Sequence, residues 1–439
     1  MRDRDHLQDE RKTTNRYSDS IEKDERKKPG HKQFINKVST VQNSIYGENG
    51  ERYRIPINAA HLSALESFNE RLFKTNDLPF EIYQHKKTEC INTLKMAHDI
   101  NMLPAYARIY SPSLSFPPDF DLFFRTYREH PIRHYSHVDW EAGELEFRNE
   151  GFFNEVGPEH AKMANDFVLT LREAAKRGRL RSRMSDWLSG PKRNRKYLRD
   201  FMIKLLEQHS RIMVVDLVFL YRKAACKNSK EAVERGLEQQ QQAEGEYQSY
   251  MRGIDHHERP DGKKNRQVDL EELKNDLSHF FNNMRNKRKL FGRDKFIDYF
   301  GRIEYSRDAG YHVHICFFYK GSEVQRDIFY SHEIGKYWAN ITEGRGYYHS
   351  CNASAAQGKY KNIGIGMVEH DDFEKIRHLW AAVVYFVKAS QVVRVKRTDK
   401  EQMVLHGKKK ERLGERMGRP RGEGLSGPAY RAKLEKIFL

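Results

Sequence analysis

From Gly301 to Lys320 the chain reads GRIEYSRDAGYHVHICFFYK, two aromatic-rich apolar runs around the polar centre Arg307-Asp308-Ala309-Gly310. Residues two apart in a strand point to the same face, so Val313 enters a core while His312 and His314 leave the opposite face together. In an antiparallel hairpin Glu304 joins that face when it pairs with His312, a register that closes Ser306 on Gly310 around a three-residue turn. Gly310 suits the left-handed residue that commonly ends such turns. Two imidazoles and a carboxylate on one face make a metal-ligand arrangement. A hairpin with two polar residues on a wet face fits the same pattern.

Around this hairpin the apolar pattern predicts alternating elements. RIMVVDLVFLY, residues 211–221, is a nearly continuous β-branched run and reads as a central strand. Asp216 interrupts it, either aimed at the Glu304 site or bonded to nearby backbone at a strand end. Strands are expected near 211–220, 298–306, 311–319 and 363–368. Lys227 to Tyr250 reads as an exposed helix, and Asp269 as the cap of a helix carrying Leu270, Leu273, Leu277 and Phe280. His332 to Ile341 and the stretch from Asp371-Asp372 to Val384 read as further helices, with a glycine-rich loop at Gly344 to His349. Upstream, Leu62, Leu65, Phe68 and Leu72 give helical spacing. Ile91, Leu94 and Met96 give a second short helix, and a third begins at Gly157-Pro158. Asp139 to Glu144 reads as a turn, and His134, His137, His256 and His257 as ordinary polar residues.

The fold class is α+β, a central antiparallel sheet with helices, preceded by a mainly helical amino-terminal region. Residues 1–50 read as a disordered tail, 51–199 as a helical domain, 200–391 as the sheet domain with a polar insertion at about 227–267, and 392–439 as a basic extension.

The chain has 439 residues and a formal charge of +17, which points to a polyanionic partner. Between Lys176 and Arg199 ten Lys or Arg face one acidic residue; Lys176, Arg177, Arg179, Arg181, Arg183, Lys192, Arg193 and Arg195 are candidate phosphate contacts. Between Val392 and Arg421 eleven face four, adding Arg394, Lys396, Arg397, Lys408, Lys409 and Lys410. A solvated face or tail has the same composition. Cys90, Cys226, Cys316 and Cys351 lack any Cys-x-x-Cys spacing and suggest neither a disulfide framework nor a cysteine-based zinc site. No signal-peptide core and no membrane-length apolar run appear, so a cytoplasmic location is expected.

The last helix carries Tyr385-Phe386-Val387-Lys388, in which Tyr385 and Lys388 share a side. A tyrosine hydroxyl is a poor nucleophile at its reference pKa of about 10, and a neighbouring cation can steady its phenolate. His312-Val313-His314, Glu304 eight positions earlier, and Tyr385 with Lys388 follow one another in an order that resembles the His-hydrophobe-His endonucleases of rolling-circle replication. The stretch from about Ser210 to Gly422 is similar in particular to the inovirus replication-protein-like family of filamentous phages and bacterial prophages.

That resemblance implies a Rep-like nuclease fold with helices on one sheet face and a metal site on the other. It implies Mg²⁺ or Mn²⁺ held by Glu304, His312 and His314, with Asp216 auxiliary. Tyr385, assisted by Lys388, would attack single-stranded or hairpin origin DNA to give a 5′-phosphotyrosine link and a free 3′-hydroxyl. Host helicase and polymerase would be partners in a bacterial cytoplasm. A DNA-binding protein that does not cut, or a metal-dependent nuclease using water, remain the alternatives.

Overall fold

The computed structural model describes residues 44–48, 51–54, 59–134, 157–254, 266–395, 403–407 and 425–438. The expected tail up to residue 43, the turn at Asp139–Glu144, His137, His256 and His257, and Lys396, Arg397 and Lys408 to Lys410 lie outside them. No described helix is long and apolar enough to cross a membrane.

A mixed α+β fold is built on a six-stranded antiparallel sheet. Its strands are β6 (Arg211–Tyr221), β7 (Phe296–Ser306), β8 (Gly310–Lys320), β9 (Gly346–Ser350), β10 (Gly366–Glu369) and β12 (Val404–His406). The order is β10-β6-β8-β7-β12, and β9 shares with β10 the outer edge of β6. Three small sheets flank it: β1 (Ser44–Tyr46) with β2 (Arg52–Arg54), β3 (Phe80–His85) with β4 (Thr88–Thr93), and β5 (Leu114–Ser115) with β11 (Arg394–Val395).

The period of two sorts the central strands onto two cores. Val215, Leu217, Phe219, Val313, Ile315 and Phe317 pack against α6 (Leu270–Asn283) and α7 (Asp327–Ile341) through Leu273, Phe280, Ile334 and Trp338. Phe219 stacks on Trp338 with ring centroids 4.8 Å apart. The opposite face, bearing Val214, Val218, Phe300, Cys316 and Phe318, belongs to a second core. There it meets α4 (Leu180–Gln208), α9 (Phe373–Val383) and α10 (Tyr385–Val392) through Leu206, Val383 and Phe386. Helices therefore cover both faces, including the histidine face, where the resemblance implied helices on one face and a metal site on the other.

That second core continues without a break into the amino-terminal half, through α1 (Ala59–Lys74), α2 (Pro118–Glu129) and α3 (Pro158–Arg177). The boundary expected at 199/200 falls inside α4, and the basic run crosses from α3 into α4 at Arg179, whose φ is +47°. Ile91 lies in the β3–β4 hairpin, not in a helix. The polar insertion forms α5 (Ser229–Met251), where Arg235 is buried against Asp308 at 3.2 Å. The short helix α8 (Cys351–Ala356) follows β9 directly. The carboxy-terminal region is not all extension: β12 pairs with β7, and α11 (Gly427–Ile437) buries Tyr430 and Leu434 in the same core.

Candidate active site

The β7–β8 hairpin adopts the register read from the sequence: Glu304 pairs with His312 and Ser306 with Gly310. Gly310 has φ +74°, and a Cβ there would lie 2.5 Å from the Val268 carbonyl oxygen. Ser306 Oγ accepts from the Ala309 amide at 3.1 Å and closes the turn. Strand parity then places Arg302, Glu304, His312 and His314 on one face, with Asp216 on the neighbouring β6.

This face is dry. His312 is 1% and Glu304 6% exposed. Glu304 Oε2 lies 3.6 Å from His312 Nε2, too long for a hydrogen bond but close enough for charge to act. Burial works to raise the pKa of Glu304; His312, His314 and Arg302 outweigh it and bring it down to about 2. Glu304 Oε1 and both ring nitrogens of His312 have no hydrogen-bond partner. Buried polar atoms left this way are costly, and together they offer the oxygen and nitrogen donors that a divalent cation takes. A carboxylate oxygen with imidazole nitrogens is a donor mixture that suits Mn²⁺ better than Mg²⁺.

His314 differs from His312 in being already engaged. Its Nε2 lies 2.8 Å from Asp216 Oδ1, so Asp216 serves this face and is not tied to a strand end. Burial opposes protonation of His314, but Asp216 prevails and holds its pKa well above the ordinary value. Cys351, at the start of α8, completes a group with Asp216 and His314 whose ligand atoms all lie within 4.8 Å of one another. Among the described residues this trio, rather than Glu304, His312 and His314, meets that spacing.

Tyr385 arrives from the far end of the chain. Helix α9 stops at Val383, and α10 starts at Tyr385, so the residue opens a new helix instead of continuing the old one. Its side chain is 2% exposed and lies within reach of the Glu304 charge. Burial and the Glu304 charge push its pKa well above the usual phenol value, and Arg302 works against that rise. Arg302 is itself buried, with Nη1 donating to the Phe386 carbonyl at 3.0 Å. Lys388 lies one turn along, partly buried. Three other tyrosines are committed elsewhere. Tyr337 donates to the Phe280 carbonyl at 3.1 Å, and Tyr348 lies 3.0 Å from His332 Nδ1. Tyr347, expected in a loop, belongs to β9 and is buried.

Two participants were missed in the sequence. Arg302 shares the parity of Glu304 and His314, a signal that could have found it. Tyr46 carries none, because it comes from a segment read as tail. Its ring is 4% exposed and lies 5.7 Å from that of His312, and its carbonyl accepts from the Cys226 amide at 2.9 Å.

The basic candidates divide. Lys176, Arg177, Arg179, Arg181, Arg183, Lys192 and Arg193 are exposed along α3 and α4. Arg195 is partly buried and donates to the Phe438 carbonyl at 3.3 Å. Arg394 lies 3.7 Å over the Trp187 ring and donates to the Trp187 carbonyl. Those two make contacts within the fold. Comparison with protein-family models, with curated proteins and with solved structures finds no match.

Proposed function

We propose that the chain is a metal-dependent, single-tyrosine DNA endonuclease and strand transferase that initiates rolling-circle replication. The observation that carries this reading is the convergence of Tyr385 on Glu304 beside His312, groups nominated separately from distant parts of the sequence. A central antiparallel sheet with the paired histidines on an inner strand is compatible with a Rep-like nuclease fold.

Glu304 and His312, with His314, would hold the cation, which supplies positive charge to a phosphodiester oxygen when bound. Tyr385 provides the nucleophile. Its hydroxyl gives up its proton to water as the oxygen bonds to phosphorus, the bond from phosphorus to the 3′-oxygen breaks, and that oxygen takes a proton from water and leaves as a 3′-hydroxyl. The 5′-phosphate stays on Tyr385, and attack by a 3′-hydroxyl reverses the step, so no external energy source is required. Glu304, with its pKa near 2, is a weak base and acts by orienting the hydroxyl rather than by storing its proton. Arg302 supplies fixed positive charge near the developing phenolate.

The burial of Tyr385, Glu304 and His312 favours one competing reading, in which the protein grips DNA without cutting it. Incubation with single-stranded origin candidates and Mn²⁺, then protease digestion and mass mapping, separates the two. The nicking reading expects a nucleotide adduct on Tyr385 that is absent from Tyr385→Phe. An adduct on another tyrosine overturns the residue assignment. DNA binding without an adduct, metal being bound, supports the competing reading, and cleavage without an adduct assigns attack to water.

A further inference from the structure

We propose that Asp216, His314 and Cys351 form a mixed oxygen, nitrogen and sulfur site for a thiophilic divalent cation of the zinc type. The proposal rests on the nicking reading only in sharing His314 with it. Ligand atoms within 4.8 Å of one another are close to the spacing that one ion, about 2.0–2.3 Å from each, spans.

The sheet itself sets this spacing. Val218 pairs with His314 and Asp216 with Cys316, which makes Asp216 and His314 diagonal neighbours on one face of β6 and β8. On the other edge of β6, Leu217 pairs with Ser350, and Cys351 follows at once. Three adjacent strand paths thus deliver three ligands. Asn352 fastens the third: its Oδ1 accepts from the Asp216 amide at 2.8 Å, and its Nδ2 donates to the Val214 carbonyl at 3.0 Å and to Asp327 Oδ2 at 2.7 Å. A side-chain staple of this kind fixes ligand positions before any ion arrives.

The ligand chemistry selects the ion. Mg²⁺ takes oxygen ligands in near-ideal octahedral geometry, whereas thiolate and imidazole favour zinc and related transition metals. Three protein ligands leave a fourth tetrahedral position open, as in catalytic zinc sites. Cys351 forms no disulfide, and its thiol is buried, so its proximity to His314 serves neither cross-linking nor surface reactivity. The sequence could not reveal the group, since its members lie on separate elements and no Cys-x-x-Cys marks them.

Cobalt is the probe. The full-length chain, stripped with EDTA and titrated with Co²⁺, is expected to develop a thiolate-to-cobalt charge-transfer band in the near ultraviolet that saturates at one equivalent. Cys351→Ser should remove the band, and Asp216→Asn should weaken binding by about tenfold or more. No binding, binding without the band, or a band that persists in folded Cys351→Ser overturns the proposal. Should Cys351→Ser fail to fold, zinc X-ray absorption on the unaltered protein decides: sulfur in the first coordination sphere supports the site, and its absence overturns it. Mn²⁺ affinity in Glu304→Ala and His312→Ala, together with the Tyr385 adduct, is read separately. Loss of those effects with the cobalt band intact sinks the nicking reading and leaves this one standing.

Discussion

Burial and the Glu304 charge raise the pKa of the Tyr385 hydroxyl, and the Arg302 charge favours its ionised form. In the buried site, charge acts more strongly than in water. On the proposed reading Glu304 would hold the hydroxyl in place, and Arg302 would reduce the cost of the negative charge that develops as attack begins. Tyr385→Phe is therefore expected to retain folding and DNA binding and to lose covalent product, as read by gel shift beside adduct mapping. Lys388, nominated from its helical spacing, should matter less than Arg302. Arg302→Lys keeps the charge but loses the planar fork that reaches the Phe386 carbonyl. A single-turnover cleavage assay should show a fall on the order of a hundredfold for Arg302→Lys and a smaller one for Lys388→Ala. Equal losses would return the cationic role to Lys388. For the metal, titration with Mn²⁺ should find affinity lowered steeply in Glu304→Ala and His312→Ala, the two residues with buried unpartnered atoms. Unchanged affinity in both would remove the ion from the account.

The β7–β8 hairpin shows which features a sequence can disclose. Its strands, register and turn were legible because alternation, a carboxylate of the right parity and a glycine at the turn agree on one answer. The sequence hid features decided by partners distant in the chain. Gly344 to His349 reads as loop from its glycines, yet Tyr347 and Tyr348 pair with Leu220 and Phe219 of β6. The break at Val384 is invisible in a helical pattern that continues on both sides of it. Tyr46 comes from a polar stretch and is buried in the same apolar core, its strand tied to Cys226 by a parallel bridge at Gly47. Two changes test these elements. Gly310→Ala puts a Cβ against Val268 backbone at a positive φ, so urea denaturation should show a loss of more than about 1 kcal/mol. Mn²⁺ affinity should fall with it, since that turn sets Glu304 against His312. Tyr46→Ala removes the ring over His312 and should increase the adduct rate on a long single strand. A reduced rate would instead make Tyr46 part of the DNA contact.

One apolar core joins the amino-terminal helices, the histidine face of the sheet and the carboxy-terminal helix, and this continuity was hidden in the sequence because the basic run of α4 resembles a linker. Its apolar residues Leu180, Met184 and Leu198 are buried, while Arg181, Arg183, Lys192 and Arg193 between them are exposed. Deleting the chain beyond Gln391 would remove β12 from the edge of β7 and Tyr430 from the core, so it cannot isolate the effect of charge. Substituting exposed cations can. Lys176, Arg183, Lys192 and Arg193 are exposed on α3 and α4, and a strand of DNA that reaches Tyr385 must also find counter-charge on the outside of the protein. Each phosphate neutralised on a single strand contributes about 0.7 to the slope of log affinity against log salt. Replacing the four by Gln should therefore weaken binding to a single-stranded oligonucleotide and flatten that slope by about 0.7 for every residue that meets a phosphate. Circular dichroism and the denaturation midpoint should stay unchanged, because none of the four is buried. An unchanged slope would make this run a solvated face that keeps the protein in solution, and would move the search for the DNA path to other surfaces.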